Sequence, residues 1–418
     1  MRKFFTLFFL FGIIFALSAC AGEDFFVQPI NFGDVEVQAS VQDKPQEIVF
    51  LELRFELANH TLAKHEPEHG VLLGAYIKRD FAMNNIEDFQ RYLGINHSIF
   101  SYTMHLGDEY PLRWVLENIA NFSAPHITLL PPQYGEKFDI ELIEEFAAQA
   151  GIFDTPIFVQ LYPIWQGHNF ILAEYIDFFK KASGIFEIYA PNVALVWGVD
   201  GQSVEQSTIF FPSEDIVDWV QITVYNEIDE DGNFDCFFKI LEPFYFEYNG
   251  IAPIMVSVAV SHYSTANNRY FSLRAADKLE DIYERIITNF PRIRAVIYHN
   301  YNDIAGRGGM YRINSTSVLT RAYVDSVNNP QFLNSFQKSA VNMQVNTVVR
   351  TPYMAVMQGN EFFLPSQILP YFDGDIIVIN SQNFVSMRDI SEQLGMDFFV
   401  NFGEGFFMLK GFAENDKE

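Results

Sequence analysis

The chain has 418 residues, a formal net charge of −26, only two cysteines, and 44 Phe and 20 Tyr. So acidic a protein repels nucleic acid and anionic headgroups, which are held through Lys and Arg, and neither is an expected partner. Two cysteines make no disulfide framework, so stability has to come from apolar burial, which the aromatic content supplies.

Arg2 and Lys3 precede an apolar run from Phe4 to Leu17, followed by Leu17-Ser-Ala-Cys20. A charged start, a short hydrophobic core and small residues before a cut describe a secretory signal over 1–19. The run is too short, with the wrong flank, for a lasting transmembrane helix. Leu-Ser-Ala-Cys also resembles the bacterial lipoprotein box, which implies lipidation of Cys20 and a body anchored on the outer face of the cell membrane, in a Gram-positive bacterium. The alternative is an ordinary secretory signal ending near a chance cysteine. Residues 21–44 lack helical periodicity and read as a tether. Once Cys20 carries lipid, Cys236 is the one thiol left.

From Val71 onward, apolar runs of strand length alternate with helical patterns. The expected strands are Val71–Ile77, Ser98–Met104, His126–Leu130, Ile157–Tyr162, Val193–Val199, Trp219–Tyr225, Ile254–Val260 and Arg294–His299. They are continuous rather than alternating, as for parallel strands covered on both faces. Ile86–Leu93 follows Asn85 and stops at Gly94, while Ile140–Ala150 follows Asp139 and stops at Gly151. Both read as capped helices. Ala275–Phe290 repeats the pattern and ends before Pro291. Eight strand-then-helix units predict an α/β fold, a (β/α)8 TIM barrel over residues 45–335; a doubly wound open sheet is the rival pattern.

Beyond Gln331 the pattern changes to short β-rich runs with one helix, a small α+β module over 341–412. Its strands are expected at Val345–Arg350, Met354–Met357, Glu361–Leu364, Ile376–Asn380, Phe398–Phe402 and Phe406–Leu409, with the helix at Ser386–Leu394. The stretch Phe384-Val-Ser-Met-Arg-Asp-Ile-Ser-Glu-Gln-Leu-Gly395 and the Gly403-Glu-Gly405 turn resemble the stalk module also called the copper amine oxidase N-terminal-like domain. The resemblance implies a spacer or interaction module. No His follows His299 and no Cys follows Cys236, so no copper is expected there, and no cofactor is expected anywhere.

Ordered fragments in the barrel carry a second resemblance. They include Leu73-Gly-Ala-Tyr-Ile77, His126-Ile-Thr-Leu-Leu-Pro-Pro132, Ala190-Pro-Asn-Val-Ala-Leu-Val-Trp197, Val217-Asp-Trp-Val-Gln-Ile-Thr-Val-Tyr-Asn226 and Pro253-Ile-Met-Val256. Together they resemble family 26 glycoside hydrolases, the β-mannanase type, over roughly residues 71–305. The family implies a retaining mechanism, which needs two carboxylates about 5 Å apart. Its acid follows the fourth strand as Arg-x-x-His-Glu-Met-Asn-Gly. Here the Arg position holds Gln160, the His position Pro163 and the Glu position Ile164; Gln166 and Gly167 follow. Its nucleophile follows the seventh strand as Pro-Ile-Met-x-x-Glu, and the Glu position holds Val258.

The resemblance therefore implies a scaffold that grips a polysaccharide or cell-wall glycan without cutting it. The sugar-binding residues expected at or beyond strand ends are Tyr162, Trp165, Trp197, Asp200, Tyr225, Glu227 and His262. Two alternatives stand beside this. A relocated acid pair, drawn from Asp80, Asp200, Glu227, His262, His299 and Asp303, would restore hydrolysis, or the barrel is a structural spacer of the envelope. His65-Glu-Pro-Glu-His69 spells a zinc-protease pattern, but Pro67 prevents the helix that this pattern needs.

Overall fold

The computed structural model describes residues 37–38, 48–78, 85–165, 169–200, 207–235, 237–336, 344–365, 376–380, 382–389, 397–403 and 405–410. The signal segment, Cys20, most of the tether, Asp80, Gln166, Gly167 and Cys236 lie outside them. Two compact units emerge: residues 62–343, and a second formed by 1–61 with 344–418.

The first unit is a closed parallel barrel. Its strands are β1 (Val71–Ile77), β2 (Ile99–His105), β3 (Ala124–Leu130), β4 (Ile157–Leu161), β5 (Val193–Asp200), β6 (Trp219–Asn226), β7 (Ile254–Val260) and β8 (Ile293–Asn300). Each pairs with its neighbour in chain order, and β8 closes on β1 through the register Ala295↔Leu72 to Asn300↔Ile77. The fold is a (β/α)8 TIM barrel.

Helices α1 (Ile86–Leu93), α2 (Leu112–Ala120), α3 (Ile140–Ala150), α4 (Leu172–Tyr189), α5 (Phe237–Tyr248), α6 (Ser272–Asn289) and α7 (Ser317–Val327) cover it. Asn85 accepts from the Asp88 amide at 2.7 Å and caps α1, which ends at Gly94 with φ 70°. Asp139 caps α3 through the Glu141 and Leu142 amides. The helix expected from Ala275 begins three residues earlier, at Ser272. Helix α5 runs through Pro243, a residue that discourages a helical reading of the sequence.

Gly151 at the end of α3 allows a close approach to α4. A Cβ there would stand 1.9 Å from the Tyr189 carbonyl oxygen, and backbone cannot step aside as a side chain can. Gly151→Ala is expected to destabilise the barrel by about 2 kcal/mol or more, read as a lower urea midpoint. An unchanged midpoint would mean that the helices separate freely.

The lower end of the barrel is plugged by the segment entering β1. The Trp219 indole N–H donates to the Lys64 carbonyl at 2.7 Å, and the Phe158 ring meets Trp219 edge-on at 5.3 Å. The zinc-protease-like stretch lies here as a turn rather than a helix. His65, with φ 65°, donates from Nε2 to the Asn192 carbonyl at 2.7 Å. Glu66 is fully buried, with Oε1 at 3.3 Å from Arg292 Nη1 and 3.5 Å from Arg294 Nε. Among the described residues no group of His, Cys, Asp and Glu converges to hold a metal.

The second unit corrects the domain boundary expected at residue 45. Strand Ile48–Thr61 belongs to it, pairing antiparallel with Gln344–Gln358 and parallel with Phe406–Lys410. The barrel is thus inserted between two strands of one sheet. Strands Val37–Gln38, Glu361–Pro365, Ile376–Ile379, Gln382–Ser386 and Asp397–Asn401 complete that sheet, with Val356, Phe363, Ile379 and Phe384 in its core. The expected helix Ser386–Leu394 lies largely outside the described residues. Among them no helix is long and apolar enough to cross a membrane.

Candidate functional site

Side chains alternate between the two faces of a strand, so one inward residue fixes its whole strand. At the N-terminal ends the inward residues are apolar: Leu72, Ile99, Ala124, Phe158, Ala194, Trp219 and Ala295. Two and four positions further on, Ser101 and Thr103, His126 and Thr128, Gln160, and Gln221 and Thr223 are polar, while Val196 and Ile297 keep the interior apolar on β5 and β8.

A chain of hydrogen bonds crosses the interior there. Gln221 Nε2 donates to Ser257 Oγ at 2.8 Å, so its Oε1 takes the His126 Nε2 proton at 2.8 Å. His126 Nδ1 then accepts from Ser101 Oγ at 2.9 Å. Burial lowers the His126 pKa to about 4, keeping the ring neutral.

Above this floor opens a cavity of about 620 Å³ at the C-terminal ends of the strands. That is where TIM barrels place their sites. One side carries Tyr76, Tyr225, His299 and Tyr301, the other Trp165 and Phe170 from the segment after β4. The Tyr225 hydroxyl lies 2.9 Å from both His299 Nδ1 and the Tyr301 hydroxyl. Tyr76 packs 5.3 Å from the His299 ring, and Trp165 meets Phe170 edge-on at 5.3 Å. Burial first, then the Arg307 charge, lower the His299 pKa to about 3.

Polar groups complete the wall: Thr103, Thr128, Gln160, Thr223, Lys137 and Asn169. Thr128 Oγ1 donates to Gln160 Oε1 at 2.8 Å, while the buried Gln160 Nε2 has no partner among the described residues. Gly198 makes room for that amide, since a Cβ there would lie 2.0 Å from Nε2. No described residue of the wall carries a carboxylate.

The expected sugar-binding residues divide. Trp165 and Tyr225 line the cavity. Trp197 does not: it alternates with the inward Ala194, Val196 and Gly198 on β5 and so faces outward, where it is fully buried against Phe211, Phe244 and Tyr248. Tyr162, with φ 44°, is also fully buried, stacked 4.7 Å from Phe178. Its hydroxyl donates to the Lys137 carbonyl at 2.9 Å, so it supports the wall from behind.

His262 is buried against Tyr270 and outside the cavity lining. Glu227 sits beyond the wall, accepting a hydrogen bond from the Tyr311 hydroxyl. Burial raises its pKa, while Tyr311 and Arg307 pull it down and Asp303 adds to the rise. Asp303 is committed to the Gly306 and Arg307 amides at 3.1 and 3.3 Å. Asp200 ends β5, paired with Trp165 and Thr223; its side chain is outside the described set.

Period two also corrects the nucleophile position. On β7 the cavity-facing register holds Met255, Ser257 and Ala259, opposite Gln221, Thr223 and Tyr225. Val258 pairs with Val224 and Tyr298 and turns its side chain toward the helices. Ile164 is buried beside Val199, although its neighbours Pro163 and Trp165 line the cavity.

Sequence reasoning did not single out Tyr76, Lys137, Tyr301 or the polar interior as site residues. The signal was present in Ser101-x-Thr103-x-His105, His126-x-Thr128 and Gln221-x-Thr223-x-Tyr225, polar residues at every second position of otherwise apolar strands.

This arrangement has known counterparts in shape. The chain is similar to a modular endo-β-1,4-mannanase of glycoside hydrolase family 26 from Cellulomonas fimi. The TM-score is 0.51 at 11% identity, covering 78% of this chain and 94% of that one. A family 26 β-mannanase from Bacteroides ovatus aligns at 13% identity and a TM-score of 0.44, over 63% of this chain and 90% of its own. At such identities the likeness is one of fold. No protein-family model matches the chain, and no curated protein matches it.

Proposed function

We propose that the barrel is a glycan-binding module that holds its ligand without cleaving it. The observation that carries this reading is the wall itself, a roomy cavity with aromatic rings on opposite sides, many neutral hydrogen-bonding groups and no described carboxylate. Sugar rings present apolar C–H faces to aromatics and hydroxyls to polar side chains, and this cavity offers both. Glycoside hydrolysis by the usual route needs two acids flanking the bond. On this reading the lipid on Cys20 anchors the protein at the outer face of the membrane, and the sheet unit is a spacer. Both parts of that placement rest on sequence alone.

The test pairs a glycan array with a reducing-sugar assay on the same preparation. Binding without release is the expected result. Trp165→Ala is expected to weaken binding by about 1–2 kcal/mol, roughly five- to thirtyfold, because stacking area is lost. Release of oligosaccharides at enzyme-like rates would overturn the reading in favour of relocated acids, and absence of any binding would leave the barrel a structural spacer.

A further inference from the structure

Charge at the cavity mouth narrows the ligand. The chain has 53 Asp and Glu against 27 Lys and Arg, yet the mouth gathers cations. Lys137 lines the wall, its Nζ held by the Asn169 carbonyl at 3.1 Å and Oδ1 at 2.7 Å. An ammonium has three donors, so one N–H is left for a ligand, and the charge, 5.5 Å from the Phe170 ring centroid, has no carboxylate partner among the described residues. Lys78 lies 5.8 Å above the ring of the cavity residue Tyr301, and the Arg307 guanidinium lies 3.8 Å over Tyr225. The Arg307 charge acts on Glu227, whereas Lys78 and Lys137 form no ion pair among the described residues.

Deeper in the cavity the unmatched group is again a donor. Thr128 fixes the Gln160 amide by its oxygen, leaving Nε2 buried in the wall with no partner among the described residues. A buried donor without an acceptor is destabilising until a ligand supplies one. A neutral glycan offers hydroxyls that both donate and accept. A carboxylate accepts only, and carries the charge that Lys137 lacks a partner for.

We infer that the cavity selects an acidic glycan, with a uronate carboxylate seated at Lys137. The inference rests on the glycan-binding reading and sharpens it to a ligand class.

The test uses matched pairs that differ only in oxidation at C6. These are β-1,4-mannuronate hexamer against mannohexaose, and β-1,4-glucuronate hexamer against cellohexaose. Each is titrated calorimetrically into the full chain in detergent. At low salt at least one acidic member is expected to bind about tenfold tighter than its neutral twin, and most of that margin should vanish near 0.5 M NaCl. Lys137→Gln is expected to remove the preference and Lys137→Arg to keep it, both checked for an unchanged melting temperature. Neutral members binding as well as or better than both acids would overturn the inference while leaving glycan binding intact. So would a preference that survives Lys137→Gln. No binding by any of the four, nor on the glycan array, would instead bring down the glycan-binding reading.

Discussion

Replacing Glu66 by glutamine is expected to cost the barrel about 3–5 kcal/mol of unfolding free energy. Glu66 is fully buried, and its carboxylate is the partner of two guanidinium groups, Arg292 and Arg294, that are themselves almost completely buried. Burial lowers the Arg292 pKa and the Glu66 charge opposes that shift. Glutamine keeps the volume and can still accept from the Ala63 amide, which Glu66 Oε2 now does at 3.0 Å. What it removes is the charge, leaving two cations in a poorly solvated place. All four tryptophans, Trp114, Trp165, Trp197 and Trp219, lie in the barrel. Fluorescence-detected urea unfolding therefore reads this unit without interference from the sheet. A loss below about 1 kcal/mol would show that water reaches the arginines.

Acid is expected to weaken the same barrel well before most carboxylates titrate. His97 and His126 are fully buried, and burial lowers their pKa values to about 3 and about 4. In the unfolded chain an imidazole takes its proton near pH 6.5. Below that pH the unfolded state binds more protons than the folded one, so stability falls as pH drops from about 6.5 toward 4. Each histidine contributes on the order of 3 kcal/mol to that fall.

The opposing effect is relief of self-repulsion in so acidic a chain as its carboxylates become neutral. Comparison with variants separates the two. His97→Gln loses the 2.8 Å link to the Tyr323 hydroxyl, and His126→Gln disturbs the floor of the cavity, so both start less stable at neutral pH. Their urea midpoints should nevertheless change less than wild type between pH 7 and 4.5. Equal slopes in all three proteins would show that the histidines take up protons in the folded protein as readily as in the unfolded chain.

The barrel was legible because its strands are long apolar runs separated by capped helices. Seven of the eight expected strands lie within one residue of the observed ones at both ends, and the third begins two residues early, at Ala124. Helices α1 and α3 were readable from Asn85, Gly94 and Asp139, residues that act on their own neighbours. The insertion of the barrel within the sheet was not readable, because Ile48–Thr61 finds its partners about 290 residues later. No local pattern encodes so distant a pairing.

The site divides along the same line. Sequence determined which residue types reach the strand ends; the family resemblance implies acid positions at Ile164 and Val258, but the register turns Val258 toward the helices. Sequence also brought Trp165 and Tyr225 to the mouth. Tertiary structure alone decided which way each side chain turns. Trp197 and Val258 differ from Gly198 and Ser257 by one position, yet they pack under the helices while their neighbours face the interior. Closure of the barrel sets that direction, because one inward residue on a strand commits every second residue of it. It also brings Lys137 to the cavity wall and sets Lys78 and Arg307, from two other strand ends, over the rings of the lining residues Tyr301 and Tyr225.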